Sequence, residues 1–207
     1  MTTSRAAFGF GLGGATALLV MAGLPRFLFG FLSTTLPSTQ PFLPAASQLG
    51  FLLAFFVDGA IGGFWLGNGR RATWGYAFGF LVAGYFISHT FTYIRFLSGG
   101  QHPLGALCYC AVMGALGFGM AGTVGGLCIR SSRSLVLRST AGFTLGGALG
   151  GVLLVRPFLI PYPDSILVEQ LLPMTLTLAG FLSPHLLGGT VVGSALESEP
   201  RTTIRLS

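Results

Sequence analysis

The segment that decides the fold is the apolar run at residues 49–66, LGFLLAFFVDGAIGGFWL, which carries one carboxylate, Asp58, directly before a glycine-rich block. A helix of about 20 apolar residues is long enough to cross the hydrocarbon core of a bilayer. An acidic side chain in the middle of such a helix costs about 2.5–3.5 kcal/mol on insertion scales. The run therefore predicts a membrane helix in which Asp58 either pairs with an arginine or polar backbone or performs work specific to this protein.

The composition of the whole chain is that of an integral membrane protein. Of the 207 residues, 52% are hydrophobic and only 8% are charged, whereas soluble domains carry about 25% charged residues. The mean hydropathy is +0.77. Because the chain has too few polar side chains to cover a surface in water, lipids are its expected surroundings, in an inner, plasma or organellar membrane. The net charge of +6 does not indicate nucleic acid as a partner, because the arginines lie between apolar runs and not along a basic stripe.

Six apolar segments are predicted to cross the membrane, which makes the expected fold class an all-α integral membrane protein with a single domain, residues 1–207. The segments are residues 6–25, 48–68, 74–95, 104–129, 138–156 and 172–195, followed by a short polar tail at 197–207. Eight arginines fall on the side that holds both termini, and three fall on the opposite side. By the positive-inside rule, both termini are expected on the cytoplasmic side. Trp65, Trp74 and Tyr76 are expected to form an aromatic belt at that interface.

The segments repeat in pairs, which predicts three tandem two-helix units at about 6–70, 71–133 and 134–196. The first, third and fifth segments share the strings GFGLGG (9–14), GFLVAG (79–84) and GFTLGG (142–147), each followed by an arginine near the segment end. The even-numbered segments share GAIGG (59–63), GTVGG (122–126) and GTVVG (189–193). Units of two spans all have the same orientation, so they are parallel repeats. The expected architecture has a pseudo-threefold axis along the membrane normal.

The glycines of the even-numbered blocks are candidates for close helix packing, because small residues let helices approach each other in lipid. They are spaced i, i+4 within each helix and are Gly59, Gly63, Gly122, Gly126, Gly189 and Gly193. Their alternative role is to surround a narrow constriction on the axis.

Five ionisable residues are the candidate binding or transport residues. Asp58 and His185 lie within spans and differ in depth by three residues, about 4.5 Å at the helical rise, so they would be close enough to interact if both faced the bundle interior. His185 follows Pro184, which predicts a kink, although a satisfied core histidine is the competing interpretation. Arg26, Arg95 and Arg156 share one repeat position and predict a ring at the outer mouth that attracts an anion or a lipid phosphate, with snorkelling anchors as the alternative.

Two classes of function remain open on the sequence. The first is a small transporter or channel for a small, anionic solute that moves along the pseudo-threefold axis past Asp58 and His185. The second is a non-catalytic subunit of a larger respiratory or photosynthetic complex, in contact with pigments, lipids or other subunits. His89 and His185 are the weak candidates for a pigment's metal in that case. No set of nucleophile, base and orienting residue is evident, so the chain is not expected to be an enzyme, and the sequence leaves its cofactor unknown.

Overall fold

The computed structural model of the chain describes residues 3–27, 43–67, 69–97, 103–129, 132–159 and 166–198. Each range is dominated by one α-helix, and each helix overlaps one predicted apolar segment, although the segments predicted at 48–68 and 104–129 run past the ends of their helices at Trp65 and Cys128. The helices are α1 (Thr3–Phe27), α2 (Leu43–Trp65), α3 (Gly69–Leu97), α4 (Pro103–Cys128), α5 (Arg133–Leu159) and α6 (Ile166–Ser198). Gly67 and Gly69 have positive φ angles of 70° and 76°, which glycine adopts without strain and which reverse the chain between α2 and α3.

Four of these helices are long and apolar enough to cross a membrane. The qualifying stretches are Thr3–Met21 in α1, Ala45–Trp65 in α2, Leu104–Cys128 in α4 and Leu171–Ser198 in α6. Helices α3 and α5 have lower hydropathy, because α3 contains Trp, Tyr, Ser, Thr and His residues and α5 contains several Ser and Thr residues. The four apolar helices indicate that the protein resides in a membrane.

The six helices form a closed ring in which each helix packs mainly against its neighbours in the chain, and α1 packs against α6. Neighbours run in opposite directions. At the junction that closes the ring, the backbone at Gly193 approaches Thr3 and the backbone at Gly189 approaches Ala6. The amide and hydroxyl of Thr3 also donate hydrogen bonds to the Glu197 carboxylate, both at 2.5 Å, which caps the start of α1 with a side chain of α6.

Aromatic rings fill the interior of the ring. Phe10 of α1 contacts Phe80 of α3 and Phe143 of α5, with centroid distances of 5.8 and 5.2 Å. Because α1, α3 and α5 are not neighbours in the ring, these contacts cross its centre. Phe55, Phe118 and the ring of Phe181 extend the same cluster toward the other end of the bundle. The described core is thus a stack of rings contributed by all six helices.

The expectation that Tyr76 belongs to an aromatic belt is wrong. Tyr76 is fully buried, whereas Trp74 is 54% exposed. Tyr76 lies one helical turn before Phe80 and therefore shares its inward face, where it packs edge-on against Phe10. Its hydroxyl lies 3.0 Å from the hydroxyl of Ser139, which itself donates to the carbonyl oxygen of Gly122 at 2.8 Å. Tyr76 is therefore the donor in this buried pair.

The six block glycines all point at a neighbouring helix and not at the axis. A Cβ atom added at Gly59 would meet the backbone of Tyr76, and one added at Gly122 would meet the backbone of Ser139. The full set of approaches joins Gly59 and Gly63 to α3, Gly122 and Gly126 to α5, and Gly189 and Gly193 to α1. These are the backbone contacts that close helix packing in lipid requires.

Helix α6 continues through both of its prolines, Pro173 and Pro184. Pro184 has no backbone N–H to donate to the carbonyl oxygen of Gly180. The hydroxyl of Ser183 lies 3.1 Å from that oxygen and supplies the missing donor. The local sequence S-P-H therefore keeps the helix intact where His185 enters the core.

Candidate functional site

The candidate site is a hydrogen-bonded pair formed by Asp58 of α2 and His185 of α6. Nε2 of His185 lies 2.6 Å from Oδ2 of Asp58, and both side chains are fully buried. Helix α1 stands between α2 and α6 in the ring, so this contact crosses the interior of the bundle. The structure thus brings together the two spanning ionisable residues that the sequence singled out, and the partner of Asp58 is a histidine and not an arginine.

The imidazole of His185 is held at both nitrogens and on its faces. Nδ1 lies 2.7 Å from the carbonyl oxygen of Phe181, one turn earlier in α6. The rings of Phe80, Phe118 and Phe181 surround it at centroid distances of 5.3, 5.5 and 5.6 Å. A ring fixed on two hydrogen bonds inside an apolar cage has one orientation, so Nε2 is aimed at Asp58.

Two adjacent glycines of α1 make room for the pair. A Cβ atom at Gly13 would lie 2.5 Å from Oδ1 of Asp58, and one at Gly14 would lie 2.8 Å from Cγ of His185. Any larger side chain at either position would displace the acid or the base. The glycines of the string GFGLGG in α1 therefore form the surface against which the pair packs.

The outer carboxylate oxygen of the pair is left without a hydrogen bond. Oδ1 of Asp58 is buried and has no hydrogen-bond partner among the described residues. An unpaired buried acceptor carries its full desolvation penalty, about 1–3 kcal/mol for a neutral group and more for a charged one. The unpaired oxygen therefore makes the site energetically unfavourable, and a new hydrogen-bond donor at Oδ1 or a change in the charge of Asp58 would reduce this cost.

The geometry of His185 leaves no nitrogen free to bind a pigment's metal. Both nitrogens already have protein partners within 2.7 Å. The described residues contain no group of three His, Cys, Asp or Glu side chains that would hold a metal ion. His89 is exposed on α3 and lies edge-on to Tyr85, with a centroid distance of 4.4 Å.

The three outer arginines lie at helix ends. The backbones of Arg26, Arg95 and Arg156 belong to the last turns of α1, α3 and α5. Their side chains lie outside the described residues, so the predicted ring at the outer mouth stays a prediction.

The sequence did not reveal that Tyr76 and Ser139 form a second buried polar pair. The spacing of Tyr76 and Phe80 could have predicted the burial of Tyr76. Residues four positions apart share one face of a helix, and Phe80 belongs to a string that occurs three times in the chain. Chemically, the two pairs differ, because Asp58–His185 contains a carboxyl group and an imidazole, whereas Tyr76–Ser139 contains two hydroxyl groups. Comparison of the chain with protein-family models, with curated proteins and with solved structures found no match.

Proposed function

We propose that this protein is a small membrane transporter for a small, anionic solute, and that Asp58–His185 is its binding and coupling site. The observation that carries the proposal is the fully buried acid–base pair at the centre of the bundle. Ionisable groups within membrane helices are costly and typically mark substrate or proton pathways. Stability alone does not account for such a pair, because apolar replacement of a buried ion pair is often neutral or stabilising.

The proposed architecture has six membrane-spanning helices with both termini in the cytoplasm. Helices α3 and α5 are 29 and 27 residues long, enough to span a bilayer. Each lies between two of the four apolar helices in the ring and runs antiparallel to both. The arginine-rich side carries both termini, which supports the cytoplasmic orientation.

Contacts at the centre support three repeated units around a pseudo-threefold axis. Phe10, Phe80 and Phe143 occupy the same place in the repeated GF strings. Their rings meet one another with centroid distances of 5.8, 5.2 and 5.4 Å. Three equivalent residues that are mutually in contact are the arrangement expected at a threefold axis.

The helix contacts repeat in the same cyclic order. The first glycine of each even-numbered block approaches the residue four positions before the central phenylalanine of the next unit. These approaches are Gly59 to Tyr76, Gly122 to Ser139 and Gly189 to Ala6. The third unit packs onto the first as the first packs onto the second, which supports a ring of units.

The acid–base pair interrupts this repetition at two positions. Counted back from the glycine blocks, His185 takes the place that Phe55 and Phe118 take in the other units. Asp58 takes the place of Ala121 and Gly188. The bundle therefore packs with an aromatic and a small residue at these positions, and the pair replaces them in one copy each. A departure from the repeat at two contacting positions points to function.

The filled centre favours a transporter over an open channel. Phe10, Phe80 and Phe143 are fully buried and in mutual contact, so a solute that follows the axis requires the helices to move. The glycine-lined interfaces favour such movement, because smooth surfaces without interlocking side chains allow neighbouring helices to slide.

The proposal is tested by flux into proteoliposomes that contain the purified full-length chain. Chloride, nitrate, phosphate and acetate serve as probes. We expect Asp58→Asn and His185→Ala to lower the flux of the transported anion about tenfold or more, since a tenfold loss needs only about 1.4 kcal/mol of lost interaction free energy. His89→Gln, which changes an exposed histidine, is the matched control and leaves the flux unchanged. Unchanged flux in both site variants would remove the pair from the mechanism.

The second candidate is a subunit of a larger membrane complex. It is favoured by the large apolar side chains on the outside of the bundle, among them Leu19, Phe64 and Met174, each more than 70% exposed. Such a surface suits lipid and also suits other membrane helices. Native extraction in mild detergent followed by mass measurement separates the candidates. A protein that elutes alone, without pigment or partner, contradicts the subunit.

A further inference from the structure

The hydrogen bond on one side of His185 fixes where one of its protons lies. A backbone carbonyl oxygen accepts hydrogen bonds and never donates them. The 2.7 Å contact from Nδ1 of His185 to the carbonyl oxygen of Phe181 therefore requires a hydrogen on Nδ1. A neutral imidazole with its hydrogen on Nδ1 has a bare lone pair on Nε2.

The second contact then requires one more proton. Nε2 of His185 and Oδ2 of Asp58 are 2.6 Å apart, and two lone pairs facing each other at that distance repel. The contact is attractive in two forms only, an imidazolium beside a carboxylate or a neutral imidazole beside a carboxylic acid. Both forms have zero net charge and hold one proton more than a carboxylate with a neutral imidazole.

We propose that Asp58–His185 is a proton-binding site, seen here in its loaded state, and that the proton is the ion whose movement is coupled to transport. The coupling part of this statement rests on the proposed transport function, but the proton site itself does not. Net neutrality explains how an acid and a base sit fully buried among the rings of Phe80, Phe118 and Phe181.

The surroundings of the pair fit a proton and do not fit a metal cation. Oδ1 of Asp58 is the one buried side-chain acceptor of the described residues without a partner, whereas a hard cation needs about six oxygen ligands. The helices packed around the pair present glycines from α1 and phenylalanines from α3 and α4. Among the residues of these helices whose burial is described, the other buried titratable groups are Tyr76, whose hydroxyl bonds to Ser139, and Cys110, which lies at a small apolar cavity beside Phe118.

Loss of the proton changes the contacts that hold α2 to α6. One of the two hydrogen bonds of His185 is lost, because the remaining hydrogen serves either Phe181 or Asp58 but not both. The pair then carries a charge of −1 inside an apolar cage, where an unpaired charge is strongly unfavourable. Water must reach Asp58 to relieve this charge. Deprotonation therefore favours separation of α2 from α6 across the interior of the bundle, and protonation favours the closed form.

The test measures the free energy of unfolding of the full chain as a function of pH, by SDS titration in mixed micelles. Above pH about 6.5, an unfolded chain holds Asp58 as a carboxylate and His185 as a neutral imidazole. The native pair holds one proton more, so stability falls as pH rises. We expect the unfolding constant to increase about tenfold per pH unit above pH 6.5, until the native pair releases its proton.

Asp58→Asn is the matched control, since its amide N–H donates to Nε2 without any labile proton. Titration of all other groups is common to both proteins, so the difference between their pH profiles isolates the pair. We expect that difference to follow the tenfold slope. Parallel profiles for the wild-type and Asp58→Asn proteins would overturn the proton site.

A second readout observes the proton directly. The chain has three histidines, at positions 89, 102 and 185. In a His89→Gln/His102→Gln variant labelled with ¹⁵N in the histidine rings, His185 therefore gives the only histidine signal. At pH 7 we expect both ring nitrogens to be engaged with hydrogen, and an unprotonated Nε2 with no shared proton would overturn the inference. If the proton site is observed but no anion crosses the membrane, the transport proposal fails and the site stands. If flux depends on the pair but the pH profiles are parallel, the transporter stands and proton coupling fails.

Discussion

We expect the double variant Asp58→Ala/His185→Phe to be at least as stable as the wild-type protein, although each single change lowers the free energy of unfolding by about 3–5 kcal/mol. A single change leaves the other member of a fully buried pair without its partner. The double change removes both polar groups at once. Replacement of a buried ion pair by apolar side chains of similar volume is often neutral or stabilising by about 1–4 kcal/mol.

The surroundings of the pair accept the double change for steric reasons. A phenylalanine at position 185 would lie among Phe80, Phe118 and Phe181. The far edge of its ring would fill the space left by the carboxylate of Asp58. In the proposed threefold repeat, Phe55 and Phe118 take the position that corresponds to His185. The double variant would therefore make the three proposed units alike at these two positions.

A double-mutant cycle by SDS titration gives the coupling energy between positions 58 and 185. The matched control is the pair Thr123 and Thr140, whose hydroxyls lie 2.9 Å apart between α4 and α5. Changing both of these to valine removes a neutral hydrogen bond, for which we expect a coupling of about 0.5–1.5 kcal/mol. If the double variant at 58 and 185 is less stable than the wild-type protein, the pair contributes to stability and the functional interpretation loses its main support.

The number and position of the helices could be predicted from the sequence because membrane helices are encoded by long apolar runs. The segments predicted at 6–25 and 138–156 are each contained in a longer helix, α1 (Thr3–Phe27) and α5 (Arg133–Leu159). The extra residues include polar and charged ones at the helix starts, such as Ser4, Arg5 and Arg133. Apolarity ends at the membrane surface, but the hydrogen bonds of the helix continue past it.

The rotation of each helix about its own axis could not be predicted. Apolar residues lie on every side of these helices, so no polar face distinguishes the interior from the lipid. Tyr76 was therefore expected at the interface and is buried, and the partner of Asp58 was left open between arginine, backbone and His185. The pairing depends on contact between residues 127 positions apart, which only the closed ring of helices brings together.

We expect Gly147→Ala to lower the free energy of unfolding by about 1–3 kcal/mol, and Gly147→Val to lower it further, because α4 and α5 meet here through their backbones. A Cβ atom at Gly147 would overlap the carbonyl oxygen of Gly114, and a Cβ atom at Gly114 would overlap that of Gly147. The contact is reciprocal and involves backbone atoms, which cannot rotate away as a side chain does. The helices must separate, and van der Waals contact is what holds helices together in lipid.

Gly23→Ala is the matched control, since a Cβ atom at Gly23 of α1 meets no atom of a neighbouring helix within 4 Å in the described part of the chain. Alanine is the better helix former by about 0.8–1.0 kcal/mol, so this variant is expected to be unchanged or slightly stabilised. Both changes add one methyl group to a helical glycine and remove the same backbone freedom. Losses of equal size at the two positions would mean that glycine's conformation matters and the contact does not. If the free energy of unfolding falls for Gly147→Ala and rises for Gly23→Ala, the close backbone contact between α4 and α5 is the interaction that closes this side of the ring.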